Sequence, residues 1–257
     1  MEATRMPVLF VGHGSPMNAI EDNEFSQGWE AAVKTLPRPK AIVCVSAHWE
    51  TMGSAVTAMQ KPRTIHDFGG FPRRLYEMEY PAPGEPELVG RIGKLVKSTQ
   101  VKADLAWGLD HGTWSVLCRM YPQADIPVVQ LSLDRSREAA LNYQLGKELR
   151  ELRQEGLLII GSGNIVHNLR MMVFEDAAFD WAVDYDARVK QWILDGDHQS
   201  IIHYEKQGQV AALSVNSAEH YLPLLYVLGL QEEGEPVSFF NDKVWGGSLS
   251  MRCVKIG

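Results

Sequence analysis

Residues 41–48 read Ala-Ile-Val-Cys-Val-Ser-Ala-His. The stretch is apolar from Ala41 to Val45, carries the β-branched residues Ile42, Val43 and Val45, and then runs into small residues and a histidine. A half-exposed strand would alternate polar and apolar residues. A continuous run of this length suits a strand buried on both faces, as in a sheet covered by helices. Pro7–Val11 (PVLFV), Pro127–Leu133 (PVVQLSL) and Leu157–Ile160 (LLII) read the same way, and Ala55–Met59, Val237–Phe240 and Ser248–Ile256 read as further, less buried strands. Helical spacing lies between them. Arg137–Gln154 puts Leu141, Leu145, Leu149 and Leu152 on one face and stops at Gly156; Glu87–Val96 and Trp181–Leu194 are similar. Ser217 is placed to cap the apolar segment Tyr221–Leu230, with Gly229 near its end and Pro223 drawing its start toward His220 or Tyr221. Pro81–Pro86 reads as a surface loop. The alternation predicts an α/β sandwich, one domain over residues 1–257, with a mostly buried central sheet flanked by helices.

The 257 residues hold 25 Lys and Arg against 32 Asp and Glu, a net charge of −7, with no basic cluster. That argues against nucleic acid or an anionic membrane as a partner, since both are gripped by neutralising phosphates. Cys44, Cys118 and Cys253 are far apart and odd in number, so no disulfide framework or thiolate zinc site is expected, and a reducing compartment fits. The segment Met1–Pro7, with Glu2 and Arg5, leads into Val8–Val11, too short for the apolar part of a signal peptide. The longest apolar stretch, Tyr221–Leu230, falls short of the ~20 residues that span a bilayer. The expectation is a cytoplasmic enzyme or small-molecule binder.

The chain has 8 histidines, and their placement is its most informative feature. His13, His48, His111 and His167 each stand just past a run read as a strand or strand end, which is where ligands gather in open α/β sheets. His220 stands near a helix start. One such histidine is ordinarily a hydrogen-bonded loop or core residue. Several together point to a metal or acid/base site, because imidazole is the commonest metal ligand and titrates near neutral pH. His198 and His203, among Asp195, Asp197 and Lys206, read as surface residues. Gly12 and Gly14 flank His13 with small residues, Asp110 puts a carboxylate beside His111, Gly161–Asn168 reads as a glycine-rich strand-to-helix turn, and His66–Pro72 is an aromatic, glycine-hinged loop suited to covering an aromatic substrate. Met17 spoils a dinucleotide G-x-G-x-x-G after Gly12, and Val166 spoils one after Gly161. There is no phosphate-binding G-x-x-x-x-G-K-[ST], no H-E-x-x-H, and no G-x-S-x-G around Ser15 or Ser162.

Six motifs in order carry a resemblance: GHGSPM at 12–17, SAHW at 46–49, IHDFGGFP at 65–72, DHGTW at 110–114, GSGNIVHNL at 161–169 and AEHYLPLLYVLG at 218–229. Together they resemble the extradiol ring-cleaving dioxygenases of the protocatechuate 4,5-dioxygenase catalytic-subunit type, nearest the 4,5-DOPA extradiol dioxygenase-like branch, and the likeness runs to the closing GSLSMRCVKIG. The resemblance implies a metal site at the carboxyl ends of the strands. It implies one divalent non-haem ion per chain, Fe(II) for turnover and Zn²⁺ in the isolated protein. By matching position, His13 and His48 are metal ligands, with His220 as the third. His167 is the acid/base beside the metal, or a ligand when zinc is bound. His111 is a pocket histidine near substrate and O2. Glu219, next to His220, offers a carboxylate. The implied partners are a small aromatic diol such as L-DOPA and O2, with the chain a monomer or homodimer. Two other readings stay open: a zinc-dependent hydrolase, and a non-catalytic metal- or ligand-binding protein on the same scaffold. Arg63, Arg73 and Arg74 near the IHDFGGFP loop either meet a substrate carboxylate or are solvated.

Overall fold

The computed structural model describes residues 5–136 and 138–257. Its strands are β1 (Val8–Gly12), β2 (Ala41–Thr51), β3 (Ser54–Thr57), β4 (Val101–Asp104), β5 (Val128–Asp134), β6 (Leu157–Gly163), β7 (Val237–Phe240), β8 (Val244–Trp245), β9 (Leu249–Ser250) and β10 (Cys253–Ile256). Its helices are α1 (Glu24–Lys34), α2 (Arg73–Tyr76), α3 (Pro86–Leu95), α4 (His111–Met120), α5 (Ala139–Glu148), α6 (Glu151–Gln154), α7 (Asp180–Asp195), α8 (His198–Ile202), α9 (Gln209–Ser214) and α10 (Leu222–Leu230). Eight strands form one sheet in the order β4-β3-β5-β2-β6-β1-β10-β7, and β8 pairs with β9 apart from it. The central strands β5, β2, β6 and β1 are parallel, and β10 and β7 continue the sheet antiparallel.

The continuous apolar runs are explained by two cores, one on each face of this sheet. In β1, Val8 and Phe10 enter one core while Leu9 and Val11 enter the other; in β2, Val43 and Val45 oppose Ile42 and Cys44. Each of these side chains is buried, and each aliphatic one contributes about 1.5–3 kcal/mol of transfer free energy. The first core is closed by Leu145 of α5, Tyr185 of α7 and Leu225 of α10, the second by Trp29 of α1 and Trp114 of α4. All nine residues of α10 are buried, as an all-apolar helix requires. Among the described residues no helix is long and apolar enough to cross a membrane.

Several boundaries differ from the sequence reading. β2 continues through His48 to Thr51, because beyond an irregularity after Val45 its Glu50 and Thr51 pair with Leu133 and Asp134 of β5. His48 therefore sits inside a strand and not past one. The predicted Arg137–Gln154 helix is two helices, α5 and α6, broken at Leu149 and Arg150; its expected start, Arg137, lies outside the described residues, as does Glu2. Ser248–Ile256 is split by Met251 and Arg252 into β9 and β10. Ser217 caps no helix. Its hydroxyl donates to Glu219 Oε1 at 2.7 Å, while Tyr221 occupies the cap of α10 and Pro223 its first turn, where a missing N–H costs nothing.

Helix α1 was not read from the sequence. Its start is fixed by a reciprocal cap: Asn23 Oδ1 accepts from the backbone N–H groups of Phe25 and Ser26, and Ser26 Oγ accepts from Asn23 N, each at 3.0 Å. Asn23→Ala removes the two bonds accepted by Oδ1 and lowers stability by about 1 kcal/mol, read as a shift in the denaturant midpoint at constant slope.

Candidate active site

Five imidazoles meet at one place: His13, His48 and His167 from the parallel strands β1, β2 and β6 and the chain just past them, His111 and His220 from the starts of α4 and α10. His13 is the first residue past β1, held by a hydrogen bond from its N–H to the Gly163 carbonyl at 3.0 Å. His48 comes from β2. His111 opens α4, whose cap is Asp110, with its side chain accepting from Thr113 N at 3.2 Å. The preceding Leu105–Asp110 forms no strand, so a helix start and not a strand end aims His111. His167 lies beyond β6, where its N–H donates to the Ser214 carbonyl at 2.9 Å. The next helix is α7, so Gly161–Asn168 is not the strand-to-helix turn it resembled. Gly161 and Gly163 are strand residues of β6, and the start of α10 crosses directly over them. A Cβ on Gly161 would fall on the Pro223 carbonyl oxygen and one on Gly163 on that of His220. The same crossing lets Asn164 N donate to the His220 carbonyl at 2.8 Å. These glycines seat His220.

Ring centroids are 5.0 Å apart for His13 and His48, 5.2 Å for His13 and His220, and 4.9 Å for His48 and His220. His111 lies 3.8 Å from His48, and His167 stacks on His220 at 3.5 Å and 6°. The ligand nitrogens of His13, His48 and His220 lie within 4.8 Å of one another; His167 makes a similar group with Glu219 and His220, and His111 with His48 and Asp67.

Hydrogen bonding settles which nitrogen of His13 is free. Ser162 Oγ spends its proton on the Gly112 carbonyl, so toward His13 Nδ1, 3.0 Å away, it can only accept. The ring proton is thus on Nδ1 and the lone pair on Nε2. His220 Nδ1 faces Glu219 Oε1 at 3.2 Å, and His48 Nδ1 faces Asp67 Oδ2 at 3.7 Å. All three rings turn Nδ1 outward to an oxygen and leave Nε2 for the interior. His13 Nε2 and His48 Nε2 are 3.1 Å apart. Two lone pairs that close repel unless a cation lies between them, and two nitrogens on one tetrahedral zinc would stand about 3.3 Å apart. The donor set fits a metal ion.

Burial favours the neutral form of His13, His48, His167 and His220. It pushes His13 and His220 well below the ordinary histidine range, and the neighbouring imidazoles add to this. His48 is lowered to about 3 by burial and then His111, and His167 to about 4 by burial, against the opposing pull of Glu219. Neutral imidazole is the form that binds metal and accepts protons.

The rings open into a cavity of about 830 Å³. Apolar side chains dominate its walls, among them Met17, Phe25, Phe68, Phe71, Trp245 and Met251. A metal-competent histidine group at the floor of an apolar cavity is the setting for chemistry on a small organic molecule.

Comparison with known proteins identifies the group. The family pattern "Catalytic LigB subunit of aromatic ring-opening dioxygenase" matches residues 7–245, which include all five cavity histidines. The chain belongs to this LigB family. It is 48% identical over 264 residues to the Escherichia coli (strain K12) protein named 4,5-DOPA dioxygenase extradiol, covering 100% of this chain and 97% of the relative. A Beta vulgaris protein of the same name is 37% identical over 96% of this chain and 95% of its own. A solved structure of an uncharacterized protein from Escherichia coli K12 superposes with a TM-score of 0.86 at 44% identity, covering 98% of this chain and 100% of the other.

The LigB-type cavity also shows what sequence reasoning missed. Asp67, read only as part of the aromatic loop, accepts from His111 N at 2.9 Å and places Oδ2 3.0 Å from His111 Nδ1, close but poorly aligned for a hydrogen bond. Ser162, dismissed as a nucleophile, orients His13. The loop does cover the cavity, through Phe68 and Phe71, while His66 turns away to the Met78 carbonyl at 2.9 Å. Arg63, Arg73 and Arg74 do not line the cavity: Arg63 donates to the Trp107 carbonyl, Arg73 pairs with Glu77, and Arg74 is exposed. His198 is not a bare surface residue. It is half-buried, with Nδ1 3.0 Å from the Tyr143 hydroxyl, whereas His203 is exposed as expected.

Proposed function

We propose that this LigB-family chain is a metal-dependent extradiol dioxygenase that opens the ring of a catechol such as L-DOPA with O2 to give a semialdehyde. One observation carries the reading: the buried imidazoles of His13 and His220 and the half-buried one of His48 turn Nδ1 to outside partners and bring ligand nitrogens within 4.8 Å of one another. His13, His48 and His220 would hold the ion. When bound there, Fe(II) supplies the electron exchange between catechol and O2 that redox-inert Zn²⁺ does not. Unlike the 2-His-1-carboxylate set of many iron oxygenases, these three donors include no carboxylate; Glu219 faces His220 from outside.

The remaining residues act on protons, charge and water. His167 is neutral and stacked against His220, so its free nitrogen takes a proton from a catechol hydroxyl. His111, positioned through Asp67, offers a hydrogen bond to negative charge developing on the reacting oxygen. Phe68 and Phe71 pack over the aromatic ring and keep water out. The net charge of −7 argues against nucleic acid or an anionic membrane as a partner, and we place the chain in the cytoplasm as a one-domain monomer or homodimer acting on the diol and O2.

His167→Ala tests the division of labour. The variant keeps its metal, within about threefold of wild-type affinity, and loses on the order of 10²–10⁴ in kcat. Metal content and steady-state oxygen consumption measure the two effects. Loss of metal as complete as in a His13→Ala variant would make His167 a ligand instead of the base.

A further inference from the structure

We infer that Asp110 and Gln130 form a positioning pair, a buried carboxylate and amide that together set the placement of His13, His48 and His111 without touching metal or substrate. This rests on the reading above, in which two of these histidines hold the ion and the third faces the diol. Asp110 is wholly buried, and its side chain bonds only to the neutral Ser46, Thr113 and Gln130. Burying a carboxylate in this way is unfavourable, and capping a helix does not require it, since an Asn or Ser caps as well. The network fixes its own proton positions. The Asp110 backbone N–H can only donate, and it reaches Gln130 Oε1 at 3.2 Å, where Thr113 Oγ1 also donates at 2.8 Å. Gln130 Nε2 is therefore the end that donates to Asp110 Oδ2. Ser46 Oγ accepts from the His48 N–H at 3.2 Å and donates to Asp110 Oδ1 at 2.7 Å. Both carboxylate oxygens accept, so neither carries a proton.

Three histidines are tied to this unit. His48 stands where β2 advances from Val45 to Glu50 while β5 advances only from Leu131 to Leu133. Such a bulge re-aims side chains, and Ser46 fastens the His48 backbone within it to Asp110. His111 directly follows Asp110 and opens the helix that Asp110 caps. The carbonyl of Gly112, in the same turn, takes the Ser162 proton, which leaves Ser162 Oγ as the acceptor facing His13 Nδ1. The turn lies directly on the bulge: a Cβ on Gly112 would fall on Ser46 Oγ and His48 Cδ2. Gln130 anchors the whole unit in the sheet, opposite Cys44 of β2. A shift of the Asp110 carboxylate therefore moves two metal ligands and the pocket histidine at once.

The test turns the central bond round. Asp110→Asn alone sets an amide NH2 against Gln130 Nε2, donor to donor. Asp110→Asn combined with Gln130→Glu remakes that bond in the opposite direction, while the second oxygen of the new carboxylate still accepts from the residue 110 N–H and from Thr113 Oγ1. Each variant is measured for Zn²⁺ Kd by chelator competition and for kcat on L-DOPA, or another catechol the wild type opens, at saturating Fe(II). Both are read well below the variant's metal-free melting temperature, so lost stability alone moves neither. Asp110→Asn weakens Zn²⁺ binding about tenfold and lowers kcat about tenfold, the low end for losing an outside partner of a metal ligand. The double variant returns both to within about threefold of wild type, a coupling that two independent sites would not show. Wild-type Kd and kcat in the single variant overturn the inference. So does a double variant that melts like wild type without metal yet stays as impaired as the single one, because the charge and not the bonding would then matter. If neither variant folds, Ser46→Ala decides: it cuts the arm to His48, and Zn²⁺ binding weakened about threefold or more supports the inference, whereas wild-type affinity overturns it. Wild-type protein that binds Zn²⁺ but opens no catechol counts against ring opening instead, and the Kd series still decides the role of Asp110.

Discussion

His13→Ala yields a folded protein that does not retain metal and does not turn over. His13 is 1% exposed, sits between His48 and His220, and points Nε2 at His48 Nε2 across 3.1 Å. Removing it takes away one of three donors, and a cavity filled by water cannot restore an imidazole's basicity. Loss of an outside partner of a metal ligand typically costs about 10–100-fold in affinity, and loss of the ligand itself costs more. The metal-free variant melts close to metal-free wild type, because the side chain lines a cavity and contributes little to either core. Chelator competition for Zn²⁺ and a thermal melt without metal give the two readings. A variant that held Zn²⁺ within tenfold of wild type would remove His13 from the ligand set.

Gly163→Ala has the second large effect, and it acts through the backbone. Gly163 ends β6, which pairs with both β1 and β2, and a Cβ there collides with the His220 carbonyl oxygen. Neither partner can yield cheaply. The strand is held in register by two neighbours, and the carbonyl belongs to the turn that starts the fully buried α10. The expected cost is about 3 kcal/mol or more, the upper end for overpacking, together with weaker metal binding because His220 is displaced. Urea unfolding and Zn²⁺ competition measure the two together. Stability within about 1 kcal/mol of wild type would show that β6 and α10 are not packed as tightly as the crossing implies.

The strands were legible because burial on both faces leaves a direct mark: runs such as PVLFV and LLII lack polar alternation. What surrounds the strands was less legible. His48 was read as past a strand because Ser46 and Ala47 looked like its end, and only pairing with β5 carries β2 on to Thr51. Helix α1 buries a narrow stripe of Phe25 and Trp29, with its start written in the Asn23–Ser26 cap, a signal the hydrophobic pattern does not carry. The five histidines were legible as a group, since each follows or lies near a run whose apolar pattern marks a strand or helix, although His48 turns out to lie within β2. Their partners were not. Ser162 meets His13 across 149 positions of sequence and Asp67 meets the His111 backbone across 44, and no local spacing foretells such contacts. The glycines of GSG read as a strand-to-helix turn, whereas what they make room for is the chain's own helix α10 crossing over them.

The central claim is tested most directly by oxygen uptake. Protein stripped of metal is reloaded anaerobically with Fe(II), mixed with L-DOPA or another catechol, and exposed to air while dissolved oxygen and the yellow ring-opened product are followed together. The account predicts uptake stoichiometric with product, abolished when Zn²⁺ replaces Fe(II). No uptake with any catechol despite bound iron would contradict it, as would activity on an ester or amide that persists with Zn²⁺ under strict anaerobiosis.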